Sequence, residues 1–120
     1  MQDLKERTFA FATKVGKLVQ ELPYSTVNKA YTSQLIRCSS SVGANYRAAR
    51  RAKSDADFIF KLKIVEEEAD ESVYFLELLL FFNPMYSNQI GELIEEGLTL
   101  LKIFVASVKT ARSKIKKLPG

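Results

Sequence analysis

Arg47, Arg50 and Arg51 are spaced so that on a helix they share one face. Lys53 follows them, with no acid in between. A second cluster, Lys109, Arg112, Lys114, Lys116 and Lys117, crowds the C-terminal stretch. Lys and Arg in such clusters neutralise phosphates, so the chemistry they suit is contact with a nucleic-acid backbone. The competing explanation is dipole complementation, in which a cation near a helix C-terminus contributes about 0.3–1 kcal/mol. That accounts for two or three of these nine cations more easily than for all of them. On charge alone both explanations stand. No base-reading residue accompanies the clusters: Tyr46 is the nearby aromatic, and its spacing places it on a core face.

The acidic residues invite a different chemistry. Glu66-Glu67-Glu68 and Asp70-Glu71 pair at a spacing of four, and carboxylates on a helical bundle suggest a di-iron site. Such sites need Glu-x-x-His motifs from two helices, and this chain has no His. No metal is therefore expected, and no Ser/His/Asp or Cys/His catalysis either. Cys38 lies on an apolar seam and reads as a small buried hydrophobe. Ser39-Ser40-Ser41 has no base beside it, and no glycine-rich phosphate loop occurs. The reading is a protein that is not an enzyme and takes no cofactor.

These residues must be held by helices. The chain has 120 residues, 47% of them hydrophobic, and only 5 Gly and 3 Pro. That is one domain, residues 1–120, with a core and little punctuation. The first helical segment spans about residues 3–22, with Phe11, Val15, Leu18 and Leu22 as its seam, and Pro23 ends it. The second spans about 26–53 behind Ser25 or Thr26, with Tyr31, Leu35, Cys38, Val42, Tyr46 and Ala49 inward. Gly43 costs that helix about 1 kcal/mol relative to Ala, which predicts another backbone passing close by. The third spans about 55–83 behind Ser54 and Asp57, with Phe58, Leu62, Val65, Ala69, Val73, Leu76 and Leu80 inward. The fourth spans about 87–117 on Ile90, Ile94, Gly97, Leu101, Phe104, Val108, Ala111 and Ile115.

Short connections make consecutive segments antiparallel neighbours, so the fold class is all-α, an up-down four-helix bundle. The C-terminal ends of the second and fourth segments then meet at one end, which becomes basic. The net charge of +4 hides this polarity. The second segment holds six cations and no acid, and the third holds eight acids and two lysines. Antiparallel pairing sets Arg37 opposite Glu67 or Glu71. The third and fourth segments carry more apolar surface than one seam uses, at Val73–Phe82 and at Leu93, Leu100 and Ile103. A second subunit would cover it, which predicts a homo-oligomer. The N-terminus has no apolar signal core, no stretch reaches membrane-spanning length, and the thiol is alone. The expectation is a cytoplasmic protein with no membrane partner.

Gln34-Leu35-Ile36-Arg37, Ser41-Val42-Gly43-Ala44-Asn45-Tyr46, Asp57–Leu62, Glu67–Glu71 and Leu76–Leu79 together resemble one family. It is the bacterial four-helix bundle family encoded in intervening sequences of large-subunit ribosomal RNA genes. The accessory variability protein of diversity-generating retroelements is related to it. The resemblance implies a five-fold ring with a central channel, and RNA or DNA or a reverse transcriptase as partners. It implies a structural role for Arg37, Ser41, Asn45 and Glu71, joining the second and third segments. Ala48 departs from the pattern, since many relatives carry Glu there. The function expected is nucleic-acid binding at the basic end by a homo-oligomer. A protein-interaction scaffold with no nucleic-acid role remains the alternative.

Overall fold

The computed structural model describes residues 3–116, and the side chains up to residue 115. Four helices follow one another: α1 (Leu4–Glu21), α2 (Thr26–Arg50), α3 (Asp55–Phe82) and α4 (Ser87–Lys116). A single 3-10 turn, Pro84–Tyr86, precedes α4. Among the described residues there is no strand.

Local chemistry sets the ends. Asp3 caps α1 by accepting the Lys5 N–H at 3.2 Å. Ser25 and Ser54 do the same for α2 and α3, at 2.9 Å from Asn28 N and 3.0 Å from Asp57 N. The second helix is shorter than its cation-rich sequence predicts. It stops at Arg50, and Arg51 is its C-cap. The reason lies in the next cap: the Asp57 carboxylate accepts the Lys53 N–H at 3.2 Å and pulls that residue out of the helix.

Each helix runs beside its sequence neighbours, and α1 beside α4, whereas the backbones of α1 and α3 are not adjacent and neither are those of α2 and α4. The four therefore stand in cyclic order around one core. Phe11, Val15, Leu35, Cys38, Val42, Leu62, Val65, Leu76, Leu79, Ile90, Leu100 and Phe104 are sealed from solvent inside it. The close approach expected at Gly43 is made by α1: a Cβ there would stand 3.1 Å from Thr8 Oγ1.

Two seams turn differently from the spacing alone. In α3, Leu79 rather than Leu80 is buried. In α4 the buried set is Ile90, Leu93, Gly97, Leu100, Phe104 and Val108, while Ile94 and Leu101 are only partly covered. The fourth helix must face α1 as well as α3, which swings its buried sector toward α1. Gly97 lets α3 come close on the other flank, because a Cβ there would lie 2.8 Å from Val73 Cγ2. Ile115 is exposed rather than sealed, since α1 begins near Ser107 and leaves the last turns of α4 resting on α3.

Candidate nucleic-acid interface

The antiparallel order brings the end of α2, the start of α3 and the end of α4 together, with the start of α1 beside them. Arg50 and Lys53 line an open groove with Leu4, Asp55, Phe58 and Ser107. Lys114 lines the adjoining groove, which shares Asp55, Phe58 and Ser107. Arg47 faces the other flank, along α1, where Lys5 joins it. Arg51, Lys53, Lys109, Arg112 and Lys114 are exposed. Lys117 and the side chain of Lys116 lie outside the described residues.

Tyr46 holds one of these cations in place. Its ring is buried against Phe104, centroids 5.7 Å apart, and its hydroxyl accepts from Arg50 Nη1 at 3.1 Å. That bond raises the Arg50 guanidinium above its ordinary pKa and leaves its remaining N–H groups facing outward. Acids also lie at this end. Asp55 is exposed in both grooves, and Asp3 lies near enough to Arg50 to act on it. Asp57 is taken up by Lys61 Nζ at 2.8 Å, which lowers the pKa of its carboxyl, with help from the Lys53 N–H. Lys5 is absent from the sequence reading, although the up-down order already places the start of α1 at the end of α2.

Arg37 joins α2 to α3, with Glu71 as the spacing predicts and with Glu68 in place of Glu67. It pairs with Glu68 at 3.1 Å and Glu71 at 2.7 Å, while Glu67 points to solvent. On α3, Glu68 and Glu71 flank the side facing α2, and Glu67 lies on the outer face. Asn45 and Ser41 do not bridge the two helices as the resemblance implies: the Asn45 amide donates to the Ser41 carbonyl of its own helix at 2.9 Å. Other contacts across the bundle escape sequence reasoning. Arg7 forks onto Glu96 at 2.8 and 2.9 Å, tying α1 to α4. Asn28 and Asn83 exchange amide hydrogen bonds of 2.8 and 2.9 Å in the buried end opposite the cations.

Cys38 is sealed, donates to the Leu35 carbonyl at 3.6 Å and accepts from Ser72 Oγ at 3.3 Å. Burial pushes its thiol pKa up. In the folded protein it will resist alkylation, and a thiol titration in denaturant will find the one reactive group; rapid labelling of native protein would contradict this burial. Among the described residues no three His, Cys, Asp or Glu side chains gather where a metal could bind. No described helix is long and apolar enough to cross a membrane.

A solved protein of unknown function from the S23 ribosomal protein family of Bacteroides thetaiotaomicron VPI-5482 is similar in fold. It is 30% identical, with a TM-score of 0.79 over 89% of this chain and 99% of that one. No curated protein matches significantly. The model of the 23S rRNA-intervening sequence proteins matches residues 2–106, which contain the caps, the Arg37 pairing helices and the cations of α2. With its helix order and a close structural relative in agreement, the chain belongs to the 23S rRNA-intervening sequence protein family.

Proposed function

We propose that this protein is a non-enzymatic, homo-oligomeric bundle that binds nucleic acid through phosphate contacts at its basic end. The observation that carries the reading is the meeting of Arg50 and Lys53 with Lys114 around a common wall of Asp55, Phe58 and Ser107. Arg47, Arg51, Lys109 and Arg112 extend that surface, and Lys5 adds to it. Phosphate contacts carry little sequence information, so binding is weakly selective. The five-fold ring and a reverse-transcriptase partner come from the family resemblance and belong to this proposal.

Salt titration tests it. With about five phosphates engaged on duplex DNA, log affinity falls against log salt with a slope of about −4.5. A panel of DNA and RNA that shows no shift at low ionic strength would overturn the reading.

The exposed apolar residues of α3 and α4 favour a second reading, a protein-interaction scaffold. Reversing Arg47, Arg50 and Arg51 to Glu separates the two. Loss of nucleic acid with the oligomer intact supports the first, and collapse of the oligomer supports the second.

A further inference from the structure

Two grooves adjoin at the basic end, and they differ in chemistry. The first holds Arg50 and Lys53 beside Leu4. The second lies between the start of α3 and the last turns of α4, with a volume of about 770 Å³. That size falls in the range of about 300–1,000 Å³ in which small organic groups are bound. Its walls are largely apolar, built from Phe58, Ile103, Ala106, Ala111 and Ile115, and Lys114 is the cation that lines it. Phe58 packs against the core, is only partly buried, and lines both grooves. A surface made for phosphates alone has no use for this apolar cleft.

Asp55 is the second feature that phosphate contact leaves unexplained. It is exposed, lines both grooves, and makes no ion pair or side-chain hydrogen bond among the described residues. Its place in the first turn of α3 suits the positive end of the helix dipole, so the helix tolerates it. Toward a phosphate it is repulsive. Toward a nucleobase it is complementary: an ionised carboxylate only accepts, and every base carries an N–H on its Watson–Crick edge. In a duplex that edge is paired and the faces of the base are stacked. In a single strand both are free for a protein to use.

We infer that the basic end takes a single strand, with a base laid in the α3–α4 groove against Phe58 and its Watson–Crick edge turned toward Asp55. The flanking phosphates meet Arg50 and Lys53 on one side and Lys114 on the other. Charge complementarity selects the occupant, since the apolar cleft is bordered by cations and carries one acceptor. An acyl chain would fill the same walls but offers no N–H to Asp55. Stacking on an aromatic ring is tolerant of sequence, because every base has a π-face, so the groove discriminates strandedness rather than sequence. The inference rests on the phosphate binding of the proposed function and names the class of nucleic acid that this surface takes.

Fluorescence anisotropy at one fixed salt concentration tests it with short labelled probes of one sequence: a single strand, its duplex, and the same strand made abasic throughout. The abasic strand keeps the phosphates and lacks the bases. Wild type is expected to bind the intact strand about tenfold or more tighter than the abasic one, within the effect of one stacked base, and tighter than the duplex. Phe58→Leu keeps an apolar side chain on the core and should bring the intact-to-abasic ratio close to one, with abasic binding unchanged. Asp55→Ala should tighten abasic binding by removing a repulsive charge, yet lower the ratio, a pair of changes that a folding defect does not produce. Helix content and melting midpoint are read against wild type, and Asp55→Ala decides alone if Phe58→Leu does not fold. Equal binding of intact and abasic strands by wild type overturns the inference while phosphate binding stands, as does a duplex bound as tightly as the single strand. A ratio left at the wild-type value in the folded variants also overturns it. If no probe binds at low salt, the proposed function itself fails.

Discussion

Truncating Phe104 to Ala will cost the bundle about 3–5 kcal/mol, the range for deleting a buried aromatic side chain. Phe104 is sealed from solvent, and its ring packs on Tyr46 at 5.7 Å. The loss removes apolar burial and opens a cavity between α2 and α4, which face each other across the diagonal of the bundle. For a chain of this length the melting midpoint falls by roughly 10 °C or more. Phe104→Leu keeps most of the volume and should cost about 1 kcal/mol. The effect also reaches the surface. Tyr46 loses its ring neighbour, so the hydroxyl that steadies Arg50 moves more freely. Tyr24→Ala is the control: that side chain is 84% exposed, and its loss should change the midpoint little. A Phe104→Ala protein that melts with wild type would contradict the packing.

The second large effect belongs to the Asn28–Asn83 pair. Each amide donates to the other, and their second N–H groups donate to the Pro23 and Leu79 carbonyls at 2.9 and 2.8 Å. The pair staples the α1–α2 connection to the end of α3. Asn28→Ala or Asn83→Ala strips the surviving amide of a partner inside the protein, at a cost of about 1–3 kcal/mol. The double variant removes both polar groups and should cost less than the sum of the singles. The expected coupling in a urea double-mutant cycle is about 0.5–3 kcal/mol. Strictly additive costs would mean that the two amides act independently.

What the sequence made legible follows from how far apart the interacting residues stand. Pro23, Ser25, Ser54 and Asn83-Pro84 act on their own neighbours, so the limits they set were readable almost to the residue, whereas α2 stops at Arg50, short of the expected 53. The Gly43 approach was readable because an unfavourable residue in a helix interior demands a cause, and Thr8 supplies it. The α4 seam was not. Ile94, Leu98, Leu101 and Val105 form one apolar stripe and Leu93, Leu100 and Phe104 another, and a period near 3.5 fits either. Only the position of α1 decides between them. The Asn28–Asn83 exchange joins residues 55 apart, and nothing local in either Asn signals it. Glu67 and Glu68 are adjacent acids, and a register estimate from turn positions is too coarse to choose between them. Of the candidate interface, the meeting of the α2 and α4 ends followed from topology. The acids Asp3 and Asp55 among the cations became evident with the fold.

The cyclic helix order also bears on how the chain assembles. The contacts α1–α2, α2–α3 and α3–α4 each join consecutive hairpin partners, whereas Arg7 and Glu96 close a loop of 89 residues. Closing that loop costs about 0.9 kcal/mol more in chain entropy than the 34-residue loop between Arg37 and Glu71. Local pairings reward the chain early, and the α1–α4 seam forms at the greatest entropic disadvantage. The seam between α1 and α4, with Arg7 and Glu96 in it, is therefore the last of the four to close, whichever of its two helices arrives second.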